Sequence, residues 1–303
     1  MENKIDYHVP VMLKPCLDGL NIHPDGTYID VTFGGGGHSR AIFDVLSEKG
    51  RLIVFDQDPD AKKNAWEAPN FFFVASNFSF ISNHLRMMGI KHVDGILADL
   101  GVSSHQFDEA ERGFSIRANA PLDMRMNQAG ELTAKTVVNT YDERELSRIF
   151  KSYGEIPNAR KVAGEIVRLR SSRPIKTTTE LMDGLSKCAP RQKEHKFFAQ
   201  VFQALRIEVN QELDVLERFL EQTTDIIAPG GRLVVMSYHS LEDRLVKNFM
   251  KKGSLEGEIT KDFYGNVIKP FDEVVRHPIV PDEIEIASNP RARSAKLRIG
   301  QRR

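Results

Sequence analysis

A run of four glycines, Gly34–Gly37, constrains this chain more than any other feature. It stands between an apolar run that reads as a strand, Thr27 to Phe33, and a segment that opens a helix near Ser39. Glycines at such a turn let the backbone come close to a ligand, and the helix start offers free N–H groups. Further apolar runs follow at Arg51–Phe55, Phe71–Ala75 and Val93–Ala98, separated by helix-length segments. That alternation predicts β-α-β units and a parallel sheet.

Two ligand classes use a glycine turn of this kind, dinucleotides and S-adenosylmethionine, and a plain flexible turn has the same composition. The dinucleotide fingerprint G-x-G-x-x-G fails here. Counted from Gly34 its last position is Ser39, and counted from Gly35 it is Arg40. The second strand ends at Asp56, about 20 residues past the glycines, where an acid accepts from ribose hydroxyls. Asp56 also reads as a turn residue, since Asp58 and Pro59 follow. A third piece is Ala228–Val235, a Pro-Gly-Gly turn running into a β-branched strand, which is similar to the approach to the fifth strand in methyltransferases. Together the pieces favour a methyltransferase over a dehydrogenase.

From about Glu109 to Leu220 the periodicity is helical. Thr140 with Glu143 and Thr177 with Glu180 have capping-box spacing. The expected organisation is therefore a methyltransferase domain in two parts, residues 1–108 and 214–303, with a helical insertion over 109–213. Strand pattern resumes at Arg232–Ser237, and a last strand is expected near Lys296–Ile299.

With 303 residues, 41% of them hydrophobic, the chain can build a core without staples. Cys16 and Cys188 lack disulfide-framework numbers and metal-ligand spacing, so free thiols in a reducing cytosol, and no metal, are expected. The N-terminus lacks the apolar run of a signal peptide, and no later stretch is long enough to span a bilayer; a cytoplasmic protein without membrane contact is the expectation. The 42 basic residues balance 42 acidic ones, so nucleic-acid contact must come from local patches. One basic cluster lies in the insertion, from Arg160 to Lys176. The other includes Arg291, Arg293 and Arg298, in a stretch that reads as the sheet's final hairpin. These arginines suit RNA phosphates, or else pair with local acids such as Glu283 and Glu285.

In an open parallel sheet, ligands bind beyond the C-terminal strand ends. The fourth strand ends at Asp99, followed by Leu100-Gly101-Val102-Ser103. Methylation at a cytosine carbon needs a nucleophilic cysteine, and this loop has none. Methylation of an amino group needs only acceptors that orient the amine and a base for its proton, roles open to Asp99. Asp99 equally reads as a cap or turn residue. The Asp/Asn-Pro-Pro-aromatic loop common in exocyclic-amine methyltransferases is absent, so a base-stacking aromatic must come from elsewhere. A Ser-His hydrolase built on His239 and Ser240 is rejected, since no G-x-S-x-G elbow is present.

Several blocks carry a specific resemblance: HVPVM at His8–Met12, DVTFGGGGHS at Asp30–Ser39, DLGVSSHQFDEAERGFS at Asp99–Ser115 and PLDMRM at Pro121–Met126. FQALRIEVNQEL at Phe202–Leu213, SYHSLEDR at Ser237–Arg244 and NPRARSAKLR at Asn289–Arg298 continue it. In order and over almost the whole chain, they resemble the bacterial small-subunit rRNA cytosine-N4 methyltransferase family (RsmH, or MraW). The resemblance implies a class I, Rossmann-like α/β methyltransferase fold with a helical insertion. It implies S-adenosylmethionine as donor and, as acceptor, a decoding-region cytidine of 16S rRNA within the small subunit. Carried over, the cofactor residues are Gly36, Gly37 and His38 in the loop, Asp56 on the ribose and Phe78 near the adenine. Asp99, also the catalytic candidate, and Gln106 lie near the methionine end or the reacting methyl. Phe78 also reads as a core aromatic, and His38 as an exposed residue at a helix start. A monomer or homodimer is expected. Two rivals stay open: an amino-methyltransferase acting on DNA or protein, and a catalytically silent S-adenosylmethionine-binding factor in ribosome assembly.

Overall fold

The computed structural model describes residues 10–303, so His8 and Val9 of the HVPVM block lie outside the described residues. Strands β1 (Thr27–Asp30), β2 (Arg51–Asp56), β3 (Phe71–Ala75), β4 (Val93–Asp99), β5 (Ile227–Ser237), β6 (Phe271–Glu273) and β7 (Lys296–Arg302) form one sheet in the order β3-β2-β1-β4-β5-β7-β6. The first five run parallel, and β7 lies antiparallel between β5 and β6. The five parallel strands are the sheet that the sequence pattern predicts, and the whole order is the Rossmann-like α/β arrangement that the resemblance implies, with its switch point between β1 and β4.

The chain divides into two compact units. One holds the residues up to Gly101 together with Asp214–Arg303, the other Val102–Leu213. The first division falls ahead of the expected 108, because the chain turns helical directly after the β4 loop. The sheet unit carries α1 (Leu13–Leu20), α2 (Gly37–Phe43) and α3 (Ile81–Met87). The inserted unit holds α4 (Ser104–Asp108), α5 (Ala134–Thr140), α6 (Glu143–Ser152), α7 (Ala159–Arg170), α8 (Thr178–Leu185) and α9 (Glu194–Asn210). After it come α10 (Glu212–Ile226), α11 (Ser240–Lys252) and α12 (Glu283–Ser288).

Period-two alternation sorts each strand between two cores. Ile29, Ile53, Phe55, Ile96, Ala98, Leu233 and Val235 pack with Leu85 of α3, Phe219 of α10 and Phe249 of α11. The intervening Tyr28, Leu52, Val54, Leu97, Val234 and Met236 pack with Cys16 of α1 and Ile42 of α2. Burial on both faces explains why these strands read as continuous apolar runs. The inserted unit has its own core, around Leu146, Phe150, Ile166, Leu181, Val201 and Leu205.

Local boundaries correct the sequence reading in three places. Strand β1 ends at Asp30, whose carboxylate takes the Thr32 N–H (3.0 Å), while the Val31 and Phe33 N–H groups still reach the Leu97 and Phe55 carbonyls of β4 and β2. The Thr140–Glu143 box does not form: Thr140 ends α5, and its hydroxyl donates back to the Thr136 carbonyl (2.7 Å). The working box is Asp142–Glu145, two residues on, whereas Thr177–Glu180 forms as expected. Finally, β5 begins at Ile227 and bulges at the Pro-Gly-Gly segment, so that Val93 pairs with Ile227 but Gly95 pairs with Arg232.

Candidate active site

The glycine run opens α2 at Gly37, two residues earlier than expected. Gly36 caps that helix with φ 77, a left-handed conformation that side chains disfavour, and a Cβ there would sit 3.0 Å from the Phe33 ring. A Cβ on Gly37 would overlap the ring of Pro10, so helix and N-terminal segment meet closely. Gly35 faces open space. The loop is anchored on both sides: the Gly34 N–H donates to Asp56 Oδ2 (2.8 Å), and Asn64 Nδ2 donates to the Gly34 carbonyl (2.9 Å).

Asp56 ends β2, half-buried, and its other oxygen accepts the Asp58 N–H (2.8 Å). Burial pushes its carboxyl up to about 6 against the pull of the Asp58 and Gly34 N–H groups; the charges of Asp58 and Asp30 add to the rise. Each oxygen keeps a lone pair for a further donor. Beyond β3, Phe78 is half-buried and meets Phe219 edge-on, with ring centroids 5.2 Å apart, so the core reading of this residue applies at least to one edge. Asn77 Nδ2 donates to Gln57 Oε1 (2.8 Å), tying the ends of β2 and β3 together.

At the switch point the Asp99 N–H donates to Thr32 Oγ1 (2.7 Å), joining the ends of β4 and β1. The Asp99 side chain keeps 24% exposure, enough for one side to meet a ligand. Its Oδ1 accepts from the Tyr238 hydroxyl (2.8 Å), and its Oδ2 lies 3.7 Å from His38 Nδ1. Burial pushes the Asp99 carboxyl up to about 6, opposed by His38 and the Tyr238 hydroxyl and reinforced by Asp30 and Glu242. His38 is buried rather than exposed, and its Nε2 meets the Val11 carbonyl at 3.0 Å. Asp30 is fully buried and accepts from the Ser39 hydroxyl (2.6 Å). Sequence reasoning singled out neither Tyr238 nor Asp30. Asp30 carried a signal, an acid closing an apolar strand; Tyr238 carried none that separates it from its neighbours.

Acids thus close β1, β2 and β4: Asp30, Asp56 and Asp99. Such a rim beside an open glycine loop fits a ligand with hydroxyls and positive charge, as S-adenosylmethionine has. Six of the seven cofactor candidates belong to this sheet unit. Gln106 belongs to the inserted unit, where it is buried and closes the capping box of α4 with Ser103.

The tail differs from a simple hairpin. Strands β6 and β7 are antiparallel neighbours, but Arg291 and Arg293 stand exposed on a 3-10 turn, Pro290–Ser294, ahead of β7. Arg298 is on β7, and its Nε donates to Asp243 Oδ1 (2.7 Å), with Lys296 Nζ 3.4 Å from the same carboxylate. Burial pushes the Asp243 carboxyl up, yet Arg298 and Lys296 hold it below its usual range. Glu285 accepts the Met12 N–H. His239 caps α11 in a box with Glu242, so the SYHSLEDR block starts a helix. In the insertion, Arg168 pairs with Glu165 (2.6 Å) and Arg170 donates to the Val138 carbonyl (2.9 Å). Cys16 and Cys188 are free thiols, and among the described residues no helix is long and apolar enough to cross a membrane.

The sequence profile of the MraW methylase family matches residues 6–303. A Bacteroides thetaiotaomicron protein named ribosomal RNA small subunit methyltransferase H is 55% identical over 302 residues, covering 100% of this chain and 99% of its own. A protein of the same name from Flavobacterium johnsoniae is 56% identical over 302 residues, covering 100% of both chains.

Proposed function

The chain belongs to the MraW methylase family, and from that membership we propose that it methylates the N4 amino group of a cytidine in the decoding region of 16S ribosomal RNA, using S-adenosylmethionine. The observation that carries the reading is the full-length likeness, above half identity, to small-subunit rRNA methyltransferases. The reaction, the RNA and the donor follow from the family. The roles of single residues are our assignment, supported by local geometry.

S-adenosylmethionine, when bound, supplies an electrophilic methyl group on a sulfonium. Gly36 and Gly37 keep the loop free of side chains, and His38 braces it against the Val11 carbonyl. Asp56 accepts from the ribose hydroxyls with the lone pairs its backbone donors leave. Phe78 offers a ring beyond the end of β3 for the adenine; Gln106, in the inserted unit, is assigned to the cofactor by the family resemblance alone. Asp99 accepts an N–H of the cytosine amine, orients it, and receives the proton released as the new N–C bond forms. Attack through sulfur has no support: Cys16 is fully buried, and burial together with Asp99, Asp30 and Glu285 holds its thiol well above the usual range. Arg291 and Arg293 suit RNA phosphates because they stand exposed on the 3-10 turn; Arg298 pairs with Asp243. An RNA substrate of this kind is met in the cytoplasm, the compartment we assign.

The test is methyl transfer from labelled cofactor to undermodified small subunits, with the modified nucleoside identified by mass spectrometry. N4-methylcytidine is the expected product, and Asp99→Asn should slow single turnover on the order of a hundredfold or more. Label on DNA or protein alone would refute the substrate, and no transfer at all would favour the silent assembly factor. A near-normal rate in Asp99→Asn would remove Asp99 from the chemistry.

A further inference from the structure

The geometry points to Tyr238 as a positioning residue for the transfer: its hydroxyl holds Asp99 Oδ1, so that Oδ2 alone faces the acceptor amine. The inference rests on the proposed role of Asp99 and adds to it. Tyr238 follows β5 at the C-terminal edge of the sheet, and its N–H donates to Glu242 Oε2 (2.9 Å) in the cap of α11. Its ring lies against Gly101, where a Cβ would come 3.3 Å from Cδ2; with φ 103 at Gly101, a side chain there would be strained as well as crowded. Gly101 thus bounds the ring on one side, and the Glu242 carboxylate holds the Tyr238 backbone.

The Val11 carbonyl can only accept, so neutral His38 carries its proton on Nε2. In that neutral form Nδ1 turns a lone pair toward Asp99 Oδ2, and at 3.7 Å it lies beyond hydrogen-bond distance. Among the described residues this leaves Tyr238 as the side-chain donor to Asp99. His38, when its ring is protonated, opposes the rise of this carboxylate from 3.7 Å, whereas the remaining ionisable groups around it, Asp30 from β1, Glu242 from α11 and Cys16 from α1, supply no positive charge. Tyr238 itself is held well above its ordinary range by burial and by Asp99, so it stays a donor. The hydrogen bond thus does two things. It fixes the rotation of the carboxylate, and it favours the ionised form that can take the amine proton.

The experiment is the pH profile of single-turnover methyl transfer for the wild-type protein, Tyr238→Phe and Asp99→Asn on undermodified small subunits. Loss of a hydrogen bond to a charged group should move the acid limb of Tyr238→Phe upward by about one to two pH units, with the rate recovering toward wild type near pH 9. Replacing Tyr238 with 3-fluorotyrosine, a stronger donor of nearly the same shape, should move the limb the other way. That variant keeps the test open should Tyr238→Phe fold poorly. A Tyr238→Phe profile that overlays wild type, or a loss equal at every pH, would overturn the positioning role. A fluorotyrosine profile without a downward shift would overturn it too. Asp99→Asn separates this failure from that of the parent reading: if its rate is near normal, Asp99 is not the acceptor, whatever Tyr238 does.

Discussion

Two acids with the same residue type and the same shift do different work at the sheet edge. Asp56 is bound by two backbone N–H groups and ties down the glycine loop, whereas Asp99 is bound by one hydroxyl and stays partly open. Both titrate near pH 6 in the free protein, because burial disfavours their charge. The sign is that of raised acids. The folded chain takes up protons below about pH 6 before the unfolded chain does, so these groups penalise stability above that pH, and the penalty fades as pH falls toward the unfolded value near 4. A cationic cofactor and its ribose hydroxyls favour both ionised forms, so binding at pH 5 should release protons and weaken by up to about tenfold per unit per group. Calorimetry in buffers of different ionisation enthalpy should find proton release at pH 5 and almost none at pH 7.5. Proton-neutral binding at pH 5 would remove both acids from the cofactor site. Asp56→Ala should lower affinity by about 1.5–3 kcal/mol, and unchanged affinity would contradict its ribose role.

At the scale of elements, helix starts in the insertion show how adjacent signals compete. Thr140-x-x-Glu143 and Asp142-x-x-Glu145 both have cap spacing, yet α5 runs through Thr140 and only Asp142 is extended enough to cap. Asp142→Ala should therefore destabilise by about 1 kcal/mol, while Thr140→Ala should change stability by less than about 0.5 kcal/mol. Urea unfolding of the two variants measures this, and an equal loss in both would contradict the assignment. The bulge in β5 has a related origin. Pro-Gly-Gly cannot continue a regular ladder, but β4 and the strand beyond still pair from Gly95 and Arg232 onward. That pairing keeps Asp99 opposite Met236, and so puts Tyr238 within reach of the β4 end.

For the whole molecule, a formal net charge of +0 means that RNA binding depends on where charge collects. Arg291 and Arg293 collect positive charge on an exposed turn, and Arg298 of β7 pairs with Asp243. Replacing Arg291 and Arg293 with alanine should weaken RNA binding and flatten its salt dependence by roughly 0.7–0.9 log units per lost phosphate contact, with cofactor affinity unchanged. Arg298→Ala should instead lower the melting temperature, since it strips Asp243 of its closer partner. An unchanged salt slope in the double variant, with lost stability, would mean that the 3-10 turn arginines serve packing alone.

The sequence by itself determined the parallel sheet, the glycine turn, the acids at two strand ends and the helical insertion. Each is written in local periodicity or in a short spacing that one segment carries alone. Tertiary structure decided which of two overlapping caps starts α6, that Arg298 faces an acid of α11, and that Phe78 meets Phe219. It also decided that Tyr238 reaches Asp99 across 139 positions of chain. Those outcomes depend on strand order and register, which bring distant segments to one edge, and no single segment encodes its neighbour.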